Sequence, residues 1–532
     1  MKKKQLLSGV MALLLSASLC ACGGSKTAEG TSEAAGESSE AETSNTLSEG
    51  TPVPGGSVVY GMTQDLASLD PHVDTDAGTR DVVFNLYEGL VKPTSDGGFI
   101  PAVASDYTIS DDAKTYTFTL RDGITFHDGT PVTIEDVKYS IDRYAEIQGE
   151  SSAFSSLVDS VEVQDDKTLV VNLKESYSEF LPMMTIAIIP KSNEDPAGNP
   201  IGTGPYKLDS WDAGQAITLV KNEDYFKGTP NIDKIIFKIV PDDNAKAIQM
   251  QSGELDLALL TPKDAKTFAD QDGYTCYDMK TSDYRGILYN FNNDYWTANK
   301  DIIPAINYAI DRQAIIDAVL LGQGMTAYGP LQRNIYNNEN VEHYDYNPEK
   351  SKEIMESVGC TMGEDGFYYR DGEKIGFVIS VGAGDQVRLD IAQAAAQQLK
   401  EVGIDCTVEV PTEVDWGGQM AYLIGWGSPF DADDHTYKVF GTDKGANYSS
   451  YSNALVDQYL IEARESADPA VRAEAYDKFQ EELAKDPAFT FICYIDANYV
   501  ANSSIQGISA DTVMGHHGVG IFWNVADWTI GN

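Results

Sequence analysis

The sequence predicts a protein of the α/β or α+β class with mixed sheets. Segments with the two-residue period of half-buried strands alternate along the chain with segments whose apolar residues recur at helical spacing. The chain has 532 residues, which is enough for two or three domains. No internal repeat of the length typical of solenoids interrupts this pattern. We therefore expect several mixed layers of helices and strands.

The first clear elements are a strand, a helix and a second strand. Apolar residues alternate with threonine from Tyr116 to Leu120, and a similar alternation runs from Leu169 to Leu173. Between them, Thr133 to Asp136 has the composition of a helix capping box. The apolar face of the predicted helix follows at Val137, Ser140, Ile141 and Tyr144.

Three further helices are predicted in the second half of the chain. One begins at Pro304 and runs to Gly322. Another runs from Leu389 to Val402, ends at a glycine, and is followed directly by a strand from Ile404 to Val408. The third has Asp468 as its N-cap and a proline at its first position.

Residues 1–21 have the pattern of a secretory signal peptide. Three lysines precede an apolar run that is shorter than the roughly 20 residues of a spanning helix, and no later apolar run is long enough either. The segment from Leu19 to Cys22 resembles the bacterial lipobox, which implies a diacylglycerol on the thiol of Cys22. Two acyl chains would anchor the protein stably to a membrane. The alternative is plain secretion, with Cys22 discarded or free.

Residues 22–56 are predicted to be a disordered acidic tether. The segment consists largely of Ser, Thr, Gly, Glu and Ala and contains no aromatic residue, so it cannot bury enough apolar surface to fold. The whole chain has a formal net charge of −44, which makes nucleic acids and anionic lipid heads implausible partners. We therefore expect a globular body that is held outside the cytoplasm by its lipid.

Several strings in the body, taken in order, resemble the peptide and nickel class (family 5) of extracytoplasmic solute-binding proteins, which serve ATP-binding-cassette importers. The resemblance covers almost the whole body, from about Gly56 to Trp528. The strings are 126–131 with 135–137, 201–206, 222–226, 309–312 and 448–453. Each also has a plain structural interpretation, such as a tight turn at 202–205, so the strings identify a scaffold and not a ligand contact.

The resemblance implies a bilobal fold of the periplasmic-binding-protein type (type II) with an extra inserted domain and a hinge that the chain crosses twice. Lobe I would comprise residues 57–282, with the inserted subdomain at about 91–190, and the returning segment 494–532. Lobe II would comprise residues 283–493. The implied function is capture of short peptides in the cleft between the lobes and delivery to a membrane permease.

A Gly-Trp segment of lobe II faces the cleft in the peptide-binding members, and its acidic residue three positions after Trp accepts the α-ammonium of the ligand. Gly425 to Gly427, with Trp426 between them, match this segment. The acidic position holds Pro429, so we expect Asp431 first, and then Asp433, to supply the charge from a shifted loop. The alternative is that these aspartates cap the next helix or lie in solvent.

Other candidate ligand contacts each have a structural alternative. Trp426 could cover an apolar ligand side chain or lie in the core of lobe II. Arg388 could bind a ligand carboxylate or pair with a neighbouring aspartate. Tyr284, just after the proposed hinge, could stack on the ligand or pack, and Asp70 and His72 lie where the first strand of the family turns into the cleft.

The sequence does not favour an enzyme, a cofactor or a bare metal site. The glycine-serine elbow of hydrolases, the zinc-protease helix motif and the phosphate-binding loop are absent. Of the six histidines, only His516 and His517 are adjacent, and neighbouring residues of a strand point to opposite faces. A nickel chelate or another small solute on the same scaffold stays an alternative, and so does a hydrolase whose paired carboxylates form in the cleft. The four cysteines of the body could be free or paired.

Overall fold

Two long antiparallel strands run through the centre of this computed structural model and connect its two halves. The structure describes residues 54–73, 77–94, 98–150, 152–383, 385–427, 432–466, 468–510, 513–514 and 520–531. Its strands are β1 Ser57–Met62, β2 Val91–Pro93, β3 Phe99–Pro101, β4 Ala104–Ile109, β5 Thr115–Leu120, β6 Val158–Val163, β7 Thr168–Leu173, β8 Tyr206–Asp212, β9 Ala216–Lys221, β10 Lys234–Ile239, β11 Leu257–Leu260, β12 Tyr274–Tyr289, β13 Gly324–Thr326, β14 Thr361–Met362, β15 Tyr368–Arg370, β16 Glu373–Lys374, β17 Gly376–Ser380, β18 Asp405–Glu409, β19 Ala421–Ile424, β20 Phe489–Asn502, β21 Ile505–Gln506, β22 Val513–Met514 and β23 Thr529–Ile530.

The helices lie mainly between these strands, and none in the described residues is long and apolar enough to cross a bilayer. The α-helices are α1 Ala77–Leu86, α2 Ile134–Gln148, α3 Ala153–Leu157, α4 Asp243–Ser252, α5 Pro262–Lys266, α6 Asp294–Asn299, α7 Ile303–Ala309, α8 Arg312–Val319, α9 Pro348–Ser357, α10 Gln386–Glu401, α11 Asp434–Phe440, α12 Ala454–Glu465 and α13 Pro469–Lys485. Short 3₁₀ segments occupy Leu181–Thr185, Lys300–Ile302 and Gly520–Asp527.

The main sheet has the order β18-β17-β19-β12-β20-β11-β1-β10-β9-β8, and in addition β13 pairs with β20 and β22 pairs with β12. It contains parallel pairs, such as β17 with β18, and antiparallel pairs, such as β12 with β20. The prediction of an α/β or α+β protein with mixed sheets is therefore confirmed. Both long strands are rich in aromatic and β-branched residues, and β12 is continuously buried from Thr281 to Tyr289, as expected for a central strand.

The pairing of β12 with β20 is interrupted near its middle. Lys280 faces Asp496 and Tyr284 faces Tyr494, so residues 281–283 of β12 lie opposite a single residue of β20, which is a β-bulge. The Thr281 hydroxyl donates to the Ile495 carbonyl at 2.7 Å and so fixes the extra residues. A bulge of this kind bends the strand that carries the extra residues, here β12.

Separate hydrophobic cores lie on the two sides of this bulge. Met279 of β12 and Tyr499 of β20 belong to a core with β1, β9 and β10. Leu288 and Phe489, beyond the bulge, belong to a core with α11, α12 and α13. We call the side that contains β1 the first lobe and the side that contains β19 the second lobe.

The first predicted elements form a smaller sheet in the first lobe, with the order β4-β5-β7-β6. The alternating apolar residues of β5 and β7 are all buried in one cluster, which confirms both strands. The Thr133 hydroxyl accepts from the Asp136 backbone amide, and the Asp136 side chain accepts from the Thr133 amide, so the predicted capping box of α2 is confirmed.

The predicted helix from Pro304 to Gly322 is wrong as a single element, because the structure has two helices, α7 and α8. The Asp311 side chain caps α8 by accepting from the Ala314 amide at 3.0 Å. The buried Arg312 guanidinium donates to the carbonyls of Asn307 and Tyr344, at 3.2 and 2.8 Å. In a continuous helix, the Ala314 amide and the Asn307 carbonyl would bond to backbone groups four residues away. Here they bond to side chains, so the helix is broken between α7 and α8.

The other late elements are confirmed. Helix α10 connects the parallel strands β17 and β18, and Gly403 ends it with a φ of +90°, which a residue with a side chain would rarely adopt. Asp468 caps α13 with Pro469 at its start. All four cysteines in the described residues are free thiols, and three of them are buried.

The strings that carry the family resemblance support one another physically. The backbone amide of His127 donates to the Gly202 carbonyl at 2.9 Å, and the Gly202 amide donates to Nδ1 of His127 at 3.3 Å. Nε2 of His127 then donates to the Gly204 carbonyl at 3.1 Å. Burial lowers the pKa of His127 to about 4, so the ring is neutral and serves as a scaffold.

Candidate functional site

The carboxyl end of β19 leads to the bulge of β12, and β17 runs parallel to β19 on its other side. Asp385 caps α10 just after β17, and residues 425–427 follow β19. The Tyr284 amide donates to the Trp426 carbonyl at 2.9 Å, so this segment extends the pairing of β19 with β12 as far as the bulge. Carboxyl ends of strands are the usual place for ligands in open α/β sheets. We therefore take this edge as the candidate site.

Gly425 and Gly427 lie against the backbone of β12. A Cβ atom on Gly425 would be 2.5 Å from the Tyr284 carbonyl oxygen, and one on Gly427 would be 1.7 Å from the Ser282 carbonyl oxygen. Only glycine allows this approach. The two glycines therefore hold the segment against the bulge.

Trp426 lies at the margin of the second-lobe core, and its side chain is half-buried. Its ring is stacked near Tyr448 and Phe489, with centroid distances of 6.0 and 6.2 Å. Trp416 also stacks on Tyr448, with a centroid distance of 4.4 Å, and Trp416 and Tyr448 are each 37% exposed. The sequence pattern did not predict this group of aromatic rings, although Tyr448 begins one of the strings that carry the family resemblance.

Two guanidinium groups and two carboxylates lie close to the glycine segment. Nη1 of Arg285 contacts Asp283 at 2.5 Å, and Nε of Arg388 contacts Asp385 at 3.1 Å. Of the two alternatives for Arg388, the structure shows the aspartate pairing. Burial lowers the pKa of Arg388, and nearby Arg285 lowers it further. Nε of Arg285 is buried and forms no hydrogen bond within the described residues.

Tyr284 is fully buried, with 0% exposure. Its ring packs edge-on against Phe491 and Tyr494, with centroid distances of 5.0 and 6.1 Å. Burial raises the pKa of its hydroxyl well above the usual value. Tyr284 therefore packs in the core, which is the second of the alternatives that the sequence left open.

Asp70 and His72 belong to a buried network of the first lobe. Arg143 of α2 binds both oxygens of Asp70, at 2.9 and 2.6 Å, and also donates to Nδ1 of His72 at 2.9 Å. Nε2 of His72 donates to the Ala187 carbonyl at 2.8 Å, so the ring is a neutral acceptor at Nδ1. Burial lowers the pKa of His72, consistent with this form. The network ties the 70–72 turn to α2.

Asp433 is buried and makes contacts with both lobes. Its Oδ2 accepts from the Tyr177 hydroxyl at 2.9 Å and lies 3.5 Å from Nη1 of Arg464. Asp431 and Cys22, the other acidic candidate and the predicted lipidation site, lie outside the described residues. Within the described ranges, no group of three His, Cys, Asp or Glu side chains is placed to hold a metal ion.

The sequence is similar to known proteins over most of its length. Residues 98–448 match the family described as "Bacterial extracellular solute-binding proteins, family 5 Middle". Protein XP55 of Streptomyces lividans is 32% identical over 477 residues, which cover 85% of this chain and 86% of that protein. The oligopeptide-binding protein AppA of Bacillus subtilis is 27% identical, and the match covers 99% of both chains.

Two solved structures are similar along nearly their whole length. NikZ of Campylobacter jejuni in complex with Ni(L-His) has a TM-score of 0.80 and 28% identity, over 89% of this chain and 99% of that one. AppA of Bacillus subtilis in complex with a nonapeptide has a TM-score of 0.75 and 27% identity, over 91% of this chain and 100% of that one. The one structure holds a metal complex and the other a peptide.

Proposed function

The chain belongs to the family 5 bacterial extracellular solute-binding proteins, and on this premise we propose that it captures short peptides between its lobes and delivers them to an ABC importer. The membership confirms the family expected from the strings and the predicted bilobal fold of the periplasmic-binding-protein type. Proteins of this family bind solutes outside the cytoplasm. The peptide and the delivery step are the parts that we propose.

One observation carries the proposal: the Gly425–Gly427 segment follows a strand of the second lobe and lies beside the β12 bulge. β17 pairs with β19 only as far as Tyr422. On that side, the backbone of the residues after Tyr422 is therefore not paired with β17. An extended peptide can add to such an edge as a strand. The exposed part of Trp426 would then contact an apolar side chain of the peptide.

We further propose the domain limits that the sequence predicted: 57–282 with 494–532 for lobe I, the inserted subdomain at about 91–190, and 283–493 for lobe II. The bulge at 281–283 and the separate cores on its two sides support them. A peptide that contacts both lobes would favour the closed arrangement by its differential affinity. A lipid on Cys22 and the tether after it would keep the receptor near its permease.

A nickel or metal chelate is the second candidate solute, because NikZ in the matching structure holds Ni(L-His). The chelate brings its own donors, so a protein metal cluster is not required. Arg388 or Arg285 would then bind its carboxylate.

Isothermal titration of the mature chain with tetra-alanine and, separately, with Ni(L-His) tests the proposal. We expect tetra-alanine to bind with 1:1 stoichiometry and to be recovered intact. Binding of Ni(L-His) alone would support the second candidate, and recovery of peptide fragments would indicate a hydrolase. Binding of neither probe would contradict the proposed substrate class.

Two variants test the site. Trp426→Ala should weaken tetra-alanine binding about tenfold, because the ring would contact an apolar side chain. Asp431→Asn should also weaken binding if this carboxylate holds the α-ammonium. Trp211→Ala, which removes a half-buried tryptophan of β8 in the first lobe, is the matched control. Wild-type binding in both site variants would refute the site assignment.

A further inference from the structure

A second set of contacts joins the lobes through side chains far apart in sequence. Tyr177 and Glu179 belong to the region of the small first-lobe sheet, and Asp433, Arg464 and Arg472 belong to the helical side of the second lobe. We call these five residues the latch. Tyr177 and Asp433 are separated by 256 positions in the chain, so the contact depends on the arrangement of the lobes.

The first part of the latch is centred on Arg464. Its guanidinium lies over two tyrosine rings, 4.8 Å from the centroid of Tyr177 in the first lobe and 4.1 Å from that of Tyr437 in the second. The Tyr177 hydroxyl donates to Asp433, which also faces Arg464. A guanidinium, a carboxylate and a phenol thus satisfy one another across the boundary.

The second part is an ion pair between Arg472 of α13 and Glu179. Both side chains are largely buried, with exposed fractions of 10% and 14%. Burial lowers the pKa of Arg472, consistent with a cation that has lost most of its water. The pair therefore forms in a desolvated position and not at the rim.

Each side of the latch is held in place within its own lobe. The Tyr116 hydroxyl donates to the Tyr177 carbonyl at 2.8 Å, and the Tyr177 amide donates to the Ala113 carbonyl at 3.2 Å. On the other side, the Asp433 carbonyl accepts from the Tyr437 amide at 2.8 Å. The backbone at Tyr177 and at Asp433 is therefore fixed within its own lobe, so closing does not have to order it.

From these contacts we propose that the latch stabilises the closed arrangement irrespective of the solute. Opening the lobes would separate Tyr177 from Asp433 and Glu179 from Arg472. Part of the molecules would then be closed before a solute binds, and the solute would only have to close the molecules that are still open. In this role Asp433 holds the lobes together and does not contact the solute. The sequence had instead led us to expect that Asp433 binds the ligand.

The test measures the ratio of closed to open molecules without solute. Spin labels at Ile248→Cys and Ile461→Cys, two exposed positions in different lobes, report the interlobe distance by pulsed electron resonance. Cys276, which is the least buried of the four thiols in the described residues, is first replaced by serine. We expect the ligand-free mature chain to show both a shorter and a longer distance.

Tyr177→Phe should lower the ratio of shorter to longer distances about tenfold, because it removes a hydrogen bond to a carboxylate but keeps the ring. Glu179→Gln should also lower it, because it removes the charge that faces Arg472. Tyr206→Phe is the matched control, since this buried hydroxyl donates to the Ile232 carbonyl at 3.3 Å within the first lobe, and it should leave the ratio unchanged.

An unchanged ratio in both latch variants would overturn the proposal, and so would a wild type that is wholly open without solute. The latch rests on the proposed function in one respect, because both require that the lobes open and close. A single distance that is the same with and without tetra-alanine would therefore count against the receptor function as well as the latch.

Discussion

Replacing Gly427 by alanine tests whether the glycine segment is seated on the bulge of β12. The new Cβ atom would be 1.7 Å from the Ser282 carbonyl oxygen, whereas an ordinary contact needs about 3.5 Å. The segment would have to move by about 1.8 Å, which also breaks the hydrogen bond from the Tyr284 amide to the Trp426 carbonyl. Overpacking costs about 1–3 kcal/mol and the lost bond about 1 kcal/mol, so we expect a loss of roughly 2–4 kcal/mol.

The assay is thermal unfolding of the mature chain followed by circular dichroism. A loss of this size in a lobe of about 200 residues corresponds to a decrease in Tm of roughly 5–15 °C. Gly445→Ala is the matched control, because a Cβ atom there meets nothing within 4 Å, and its Tm should stay the same or rise slightly. Equal Tm values for the two variants would show that the segment is not packed as described.

Three further predictions concern other parts of the molecule. The pKa of His127 is about 4 in the folded protein and about 6.5 in the unfolded chain, so the unfolded chain binds the proton first as the pH falls. Roughly 3 kcal/mol of the stability present above pH 6.5 should therefore be lost as the pH falls towards 4. His127→Gln should reduce this loss in acid unfolding curves. Asp311→Ala removes the cap of α8 and should lower the free energy of unfolding by about 1 kcal/mol in urea titrations, whereas no change would contradict the cap. Burial raises the pKa values of Cys406 and Cys493 to about 12 each, so iodoacetamide at pH 8 should modify Cys276 first in native mass maps; equal modification of all three would contradict the buried positions.

Elements that depend on neighbouring residues could be predicted from the sequence. The alternation in β5 and β7 and the capping box of α2 are set within six residues each, so local patterns suffice. The break between α7 and α8 could not be predicted in this way. It depends on bonds from Arg312 to distant carbonyls, including that of Phe491 at 2.8 Å.

In the candidate site, too, some features could be predicted from the sequence and others depend on contacts between distant parts of the chain. The resemblance pointed to Gly425 and Gly427, but their close approach to the backbone of β12 appears only in the folded chain. His72 was expected near the cleft because of its place in the sequence, and the structure ties it to Arg143, 71 positions away. Tyr177, which meets Asp433, carries no sequence signal of its own, because a tyrosine near a strand more often lies in a core.

Native mass spectrometry of the protein purified from its own host is the most direct test of peptide capture. We expect one small molecule per chain, with the mass of a short peptide, that is released intact on heating. A chain that carries no small molecule at all, or one that releases only peptide fragments, would contradict it.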